Sequence, residues 1–572
     1  MDARLGPGRE ALLQGDAGAA APIFAAGVER NPRDFEARYW LAGALLRLGD
    51  AAGAEQALND ARILHTLSTI GAHGADLPRL KTDPDYANDI ATQLYGQQMV
   101  AMAGVVWGMA IAGNRLDPTT LTAYGLCLQH QGRVEEANDV YRAAARTFSN
   151  SVMHQYAAYA QLFGEDGERR YADEVRAWAA TYAKAPAPAP HTNKRLEGRK
   201  LRVGYVAPKF AESQLRQFIA PILEAHDRRS VEVVLYPADA ATEKGWPAWI
   251  TVRPIGQLND AHAAALIRQD RIDVLNDCWG HTGGSRLGVF AFKPAPVQVA
   301  WINFFQTTGL PQMDYVLHAA SDDPPDFKGL FTEALWPVGP VFTPFRPGEG
   351  RLPPTPTPAK ATGVITFASF NHPVKLSAPA IAAWAALLRA KPDSRLLLKY
   401  RYFADPVLQT VFQTQFVAHG VAPERLSFAG HSSGEDYFRS FQTVDLMLDS
   451  WPAPGSTTSL EALSNGVPVL AMVGPEPNVG GFYARTLLKA VGLADLVATS
   501  PEDFVARGLA LTEDIERLDR LRARVRPGFD NSAICDEAGF TRGLEQAFRE
   551  MFERWRSQVA GKREAVPAGS PA

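Results

Sequence analysis

The sequence predicts a helical-repeat solenoid followed by two doubly wound α/β domains. Three observations predict it. A helix–turn–helix pattern recurs at a period of 34 residues near the N-terminus, an alternating Ala/Pro segment ends it, and two later blocks alternate short β-rich runs with helical stretches. At 572 residues the chain has room for three or four domains, because single cores stop growing well below that size. Apolar content of 46% and charged content of 21% describe an ordinary globular protein. A net charge of −4 supplies no attraction to nucleic acid or to an anionic membrane, so neither is expected as a partner. Cys127, Cys278 and Cys535 are odd in number and far apart, forming neither a metal spacing nor a disulfide framework. They fit a reducing compartment. With no apolar leader and no run of 18 apolar residues, the expected location is the cytoplasm.

The repeats occupy residues 1–184. Gly15-Asp16 recurs as Gly49-Asp50, with Ala20, Phe24 and Pro32 at small, large and breaker positions of the first copy. In the second copy Leu41, Ala42 and Leu45 precede the turn, and Ala54, Leu58 and Ala61 follow it. A third centres on Gly132, between Tyr124, Gly125, Leu128 and Ala137, Tyr141, Ala144. This resembles the tetratricopeptide repeat, whose small residues let paired helices approach closely. Residues 86–118 read as helical but fit the pattern poorly. Such arrays present a concave surface, so a protein or peptide partner is expected there.

Ala185 to Pro190 alternates Ala and Pro, which favours a semi-rigid spacer, and a linker is placed at 185–199. Strands are expected at Leu201–Ala207, Val231–Tyr236, Ile272–Asn276 and Val297–Ile302 in a domain of residues 200–345. A Pro/Gly-rich linker follows from Pro337 to Pro358. The second domain, residues 360–556, carries expected strands at Val364–Ser369, Arg395–Lys399, Leu426–Ala429, Leu446–Leu448 and Val469–Met472. A last helix is expected from Asp536 to Arg556, then a disordered tail at 557–572. Two doubly wound domains put a ligand crevice at the carboxyl ends of their strands.

Neither G-x-G-x-x-G after the first strand nor G-x-x-x-x-G-K-[ST] occurs, which argues against hydride transfer and P-loop chemistry. Asp83-Pro84-Asp85 spells D-x-D, but in the helical repeats and after no strand, and reads as a loop. Residues 449–466, DSWPAPGSTTSLEALSNG, are more informative. Pro454-Gly455 break the chain after a buried strand, and Ser456, Thr457 and Thr458 sit where a helix begins. A helix start exposes unpaired N–H groups and the positive end of its dipole, so it suits a phosphate; Ser and Thr are equally ordinary caps. Glu461, one turn in, can accept from sugar hydroxyls. Lys375, just after the first strand of the second domain, can neutralise a diphosphate leaving group as a point charge; a lysine in that place is also commonly a solvated surface residue. In the first domain, 276–286 leaves a strand and enters a helix, and His281 can donate to a ligand or cap the loop.

Five ordered segments are similar to the catalytic region of O-linked N-acetylglucosamine transferases: GHTGGSRLGVFAFKPAPVQVAW, TTGLPQMDY, SFNHPVK, ERLSFAGH and GSTTSLEALSNGVPV. That family also includes the plant Spindly fucosyltransferases and many bacterial relatives. The resemblance implies the GT-B fold, two Rossmann-like domains behind tetratricopeptide repeats. It also implies an inverting, metal-independent transfer from a nucleotide sugar, UDP-N-acetylglucosamine, to a Ser or Thr of a protein held by the repeats, with no cofactor. By position, Lys375 resembles the family lysine that stabilises the departing diphosphate. Ser456, Thr457 and Thr458 resemble its phosphate-binding helix start, and Glu461 the acid that holds the ribose. Asn371 and His372 are expected to line the nucleotide pocket. His281, Thr308 and Gly309 match segments that face the donor sugar and the acceptor.

Departures are visible too. The family's F-x-x-H becomes Phe210-Ala-Glu-Ser213, and Ser213 cannot act as a base near neutral pH; Glu212 is its neighbour. G-Y-P-G-T-T-G becomes Asn303-Phe304-Phe305-Gln306-Thr307-Thr308-Gly309, a bulkier loop. Gly434 and Tyr437 replace a lysine and a histidine that animal members use near the nucleotide. These changes leave two alternatives open, a flagellin-type transferase using a CMP-linked nonulosonic acid and a non-catalytic repeat scaffold.

Overall fold

The computed structural model describes residues 3–72, 74–164, 166–211, 214–321, 325–473 and 478–564. Ser213, Glu212 and the tail residues 565–572 therefore lie outside the described residues. Helices pair in sequence from Gly6–Leu13 with Ala17–Arg30 to Ser151–Gln161 with Gly167–Tyr182. The recurring Gly-Asp pair does two jobs. Gly15 and Gly49 take φ of +94° and +79°, the left-handed conformation that turns the chain. The following aspartates cap the next helix, Asp16 accepting from Ala19 N and Asp50 from Gly53 N, each at 2.9 Å. Gly125 shows the small-residue requirement, since a Cβ there would lie 2.3 Å from the Tyr141 ring.

Residues 86–118 form the same kind of hairpin, Pro84–Gly96 against Val100–Ala112. The pattern is hidden because Gln98 occupies the left-handed position, φ 71°, in place of a glycine. Asp83 of the D-x-D is that hairpin's helix cap, accepting from Tyr86 N at 3.0 Å.

Both later domains are parallel sheets. The first contains β1 (Leu201–Val206), β2 (Val231–Tyr236), β3 (Thr251–Val252), β4 (Val274–Asp277), β5 (Val297–Ala300), β6 (Tyr315–Ala319) and β7 (Ala334–Gly339), in the order β3-β2-β1-β4-β5-β6-β7. The second contains β8 (Ile365–Ser369), β9 (Ser394–Lys399), β10 (Leu426–Ala429), β11 (Leu446–Leu448), β12 (Val469–Met472) and β13 (Val497–Ala498), in the order β10-β9-β8-β11-β12-β13. Each order reverses beside its first strand, at β1/β4 and at β8/β11, which defines the doubly wound topology. Near-continuous burial of β4, β5, β8 and β12 is what helix cover on both faces demands. Four strands escaped the sequence reading. β3 and β13 are two residues long, β6 lies in a stretch of the first domain to which no strand was assigned, and β7 runs into the segment read as a linker from Pro337. Pro337 is accommodated because β7 is an edge strand, where a missing N–H costs no ladder bond.

Two expectations about the chain's end are corrected. The last helix, Glu537–Glu564, covers eight residues assigned to the tail. It also packs on the first domain: Phe540 stacks on Trp301 at 5.7 Å, and Glu545 accepts from the buried His226 at 2.8 Å. Its apolar stripe of Phe540, Leu544, Phe548 and Met551 finds its partner there, so burial and not chain order sets its address. Among the described residues no helix is long and apolar enough to cross a membrane.

The repeats are seated on the second domain by Asp405. Its buried carboxylate accepts from Ala101 N and Met102 N of a repeat helix at 2.7 and 3.2 Å, and from Val407 N and Leu408 N of its own helix at 2.8 and 3.2 Å. One side chain thus caps two helices from two domains. Asp405→Ala leaves four N–H groups unanswered and should lower the free energy of unfolding of the repeat contact by about 2–4 kcal/mol, read from urea denaturation. Asp405→Asn, which keeps one acceptor, should lose less.

Candidate active site

The second domain's switch point places Asn371 just beyond β8 and Asp449 just beyond β11. Asp449 is buried and organises the loop that follows it. Its carboxylate accepts from Ser450 N at 2.9 Å, Gly455 N at 2.6 Å, Ser459 Oγ at 3.2 Å and Asn371 Nδ2 at 3.3 Å. Burial nevertheless pushes its carboxyl above the ordinary range. Asn371 Oδ1 accepts from Thr458 Oγ1 at 2.6 Å, tying the strand end to the helix Thr457–Ser464. Gly455 is the point of closest packing, because a Cβ would sit within 2.8 Å of Thr458, Ser459 and Asn371 side-chain atoms.

Lys375 ends a single helical turn, Pro373–Lys375, and donates from Nζ to the Pro454 carbonyl at 2.7 Å. Burial lowers its pKa from that of a free lysine, while the Asp449 carboxylate opposes the shift. Ser456, at the N-cap position, does not cap; its hydroxyl bonds Tyr483 OH at 2.9 Å. The helix start is therefore left without a side-chain cap. Lys375, Ser456 and Thr457 line one cavity of about 200 Å³, which Asn303, Phe304, Phe305 and Gln306 close from the first domain and Tyr159, Phe163 and Glu168 from the repeats. Glu461 sits at the domain boundary. Tyr437 donates to it at 2.5 Å, the Gln217 side chain of the first domain adds a hydrogen bond, and burial raises its pKa.

Asn371, Thr458 and Glu461 are not among the residues that line this cavity, and the remaining expected residues lie elsewhere too. His372 does not line the cavity. Its Nδ1 accepts from Val374 N at 3.1 Å and its ring packs between His130 of the repeats and Tyr400, each at 4.7 Å. Burial, with the neighbouring His130, Lys375 and Arg401, holds its pKa well below the ordinary histidine range. His281 is likewise removed from the cavity. It is 1% exposed, with Nε2 against the Thr308 carbonyl at 2.8 Å and Nδ1 against Gln155 at 3.2 Å. Trp178 packs on its ring edge at 4.8 Å, and burial lowers its pKa to about 4. Thr308 donates from its backbone N and its hydroxyl to the buried Glu333. Gly309, φ +72°, lies so close to the repeats that a Cβ would be 2.6 Å from the Val175 backbone. This group is spent on docking the repeats, and the neighbouring residues 303–306 face the cavity instead. Asp449, Tyr483 and Glu168 were not singled out from sequence. Asp449 carried a signal, a carboxylate at a strand end; Glu168 carried none.

With both switch points and the lysine–helix-start pair in place, the molecule has the architecture of a two-domain glycosyltransferase carrying helical repeats. The chain belongs to glycosyl transferase family 41, whose pattern matches residues 179–342 and 358–544. A tetratricopeptide repeat pattern matches residues 6–66. Among its relatives, the rice (Oryza sativa subsp. japonica) probable UDP-N-acetylglucosamine–peptide N-acetylglucosaminyltransferase SPINDLY is 35% identical over 397 residues, 66% of this chain and 42% of that protein. The Arabidopsis thaliana protein SEC, with the same probable activity in its name, is 26% identical over 69% of this chain and 41% of its own length. The chain thus spans less than half the length of these relatives. A solved structure, a mutant of the Thermobaculum terrenum O-GlcNAc transferase, superposes with a TM-score of 0.73 at 26% identity, covering 98% of this chain and 100% of that one.

A protonated lysine is what holds an anion. Because burial lowers the Lys375 pKa, affinity for a diphosphate probe measured by calorimetry should weaken as pH rises toward the 10.5 of free lysine, the decline beginning below that value. The decline should be shallower in Lys375→Met; equal slopes in the two proteins would show that Lys375 does not face the ligand.

Proposed function

We propose that this protein is an inverting protein O-glycosyltransferase that moves N-acetylglucosamine from UDP-N-acetylglucosamine to a Ser or Thr hydroxyl. One observation carries the reading: the Lys375 ammonium and the uncapped start of the helix Thr457–Ser464 line one cavity at a switch point. In the transfer the acceptor oxygen forms a bond to the anomeric carbon while the bond to the diphosphate oxygen breaks. The departing electron pair goes to that oxygen, and the proton of the acceptor hydroxyl passes to the departing diphosphate or to solvent water. Lys375, the helix dipole and the hydroxyls of Ser456 and Thr457 answer the charge that develops on the diphosphate, and this assistance requires neither a metal nor a cofactor. Glu461 is suited to the ribose hydroxyls. The rice protein, named for transfer from UDP-N-acetylglucosamine, and the Thermobaculum O-GlcNAc transferase support the same transferred sugar.

The acceptor is a protein segment held by the repeats. A second cavity of about 1130 Å³ supports this, because repeat residues 132–136, 162–164 and 166–169 line it together with Trp451 and Pro452 and it meets the first cavity at Leu162, Phe163 and Glu168. The three unpaired cysteines suit the reducing cytoplasm.

One feature favours a different donor on the same fold. Phe305 stacks on Tyr483 at 4.8 Å, so the bulky loop presses on the residue that holds Ser456. A CMP-linked nonulosonic acid brings one phosphate where UDP brings two, and competition between UDP and CMP for the purified protein separates the readings. The ordered contacts around Asp449 weigh against a scaffold that has lost turnover.

Lys375→Met should lower transfer to a co-expressed acceptor, followed by mass spectrometry, by about 10²–10³-fold, while the thermal midpoint stays near that of the unaltered protein. Undiminished transfer by that variant would falsify the assignment of the leaving-group role.

A further inference from the structure

The last repeat helix, Gly167–Tyr182, sends one side chain to the transfer cavity. Glu168 Oε2 accepts from Val479 N at 2.9 Å; Oε1 accepts from Gly480 N at 3.1 Å and from Gln306 Nε2 at 2.9 Å. None of these donors belongs to the repeats. Val479 and Gly480 open the helix Val479–Ala490 of the second domain, and Gln306 is in the 303–306 loop of the first. The next N–H, that of Gly481, is taken by Asn478 Oδ1. This helix start is therefore closed by a carboxylate from another domain, whereas the helix at Thr457 has no side-chain cap.

Both branches lead to the proposed chemistry. A Cβ on Gly480 would lie 2.7 Å from Pro454 Cδ and 3.0 Å from the Pro452 carbonyl, so the backbone that Glu168 holds is pressed against the Pro454 segment. The Pro454 carbonyl receives the Lys375 ammonium at 2.7 Å. Beside Gln306, Phe305 stacks on Tyr483 at 4.8 Å, and Tyr483 bonds Ser456 at 2.9 Å. A carboxylate bonded to three N–H donors, two of them at a dipole's positive end, is held firmly.

We propose that Glu168 is a positioning residue through which the last repeat helix sets Lys375 and Ser456 for transfer, an inference that rests on reading this cavity as the transfer site. The repeats are then part of the active site, and their last helix is needed even for a short peptide acceptor.

The test compares Glu168→Gln and Glu168→Ala in the full chain, using a short Ser/Thr peptide and UDP-N-acetylglucosamine. Glu168→Ala should lower kcat about a hundredfold with the peptide KM nearly unchanged, and Glu168→Gln, which keeps the shape and an accepting oxygen, about tenfold. Hydrogen exchange of residues 452–458 and 479–483 should quicken in both variants while β9 and β10 keep their protection. Unchanged kcat or unchanged exchange overturns the proposal. A raised KM at constant kcat overturns it as well, because Glu168 would then be an acceptor contact. Loss of the acidic limb of the kcat–pH profile in Glu168→Gln would make it a proton acceptor and not a positioning group. Quickened exchange in a protein that transfers no sugar even unaltered would leave the positioning role standing and sink the transfer reading instead.

Discussion

The site is organised around a buried carboxylate at a strand end. Asp449 cannot be left in a dry interior without partners, because an unanswered carboxylate there costs several kcal/mol. It meets that demand by folding the chain back on itself, drawing the N–H groups of Ser450 and Gly455, the Ser459 hydroxyl and the Asn371 amide onto its two oxygens. The loop 450–456 is shaped by that requirement. Lys375 then finds the Pro454 carbonyl within reach, and the helix Thr457–Ser464 begins facing the cavity. Remove the carboxylate and the lysine and the helix start have no reason to share one space.

The same device recurs where domains meet. Asp405 joins a repeat helix to the second domain, and Glu168 joins the last repeat helix to both catalytic domains, each by placing a carboxylate on the N–H groups that open a helix. A helix start offers several donors and a favourable dipole in a small area, so one side chain can hold two rigid bodies in a defined orientation. Packed side chains reinforce these joints, as where Val417 joins the cluster of Leu12 and Phe24. The repeats and the transferase domains are in consequence one working unit.

Much of this was legible in the sequence. Gly15-Asp16 and Gly49-Asp50 announce turn and cap because left-handed backbone and N-capping are local demands that few residues satisfy. Nine strands were legible because burial on both faces forces continuous apolar runs. Lys375, Ser456 and Thr457 were legible because strand ends and helix starts have fixed roles in a doubly wound sheet. What the sequence left open has a common cause. His372, His281, Thr308 and Gly309 sit in the right loops, but whether a loop side chain faces a cavity or a neighbouring domain depends on what packs against it. The last helix returned to the first domain for the same reason: its apolar stripe fits Trp301, and nothing in its own residues names that partner.

The sequence alone determined the repeat solenoid, the two parallel sheets and the presence of a phosphate-suited helix start after β11, since each follows from periodicity, turn chemistry and burial within a short span. Only the tertiary structure decided which residues close the cavity. Glu168 and Lys375 are 207 positions apart in the chain and line one space. Contacts of that kind are chosen by the shape and charge of whole domains, which no local stretch of residues encodes.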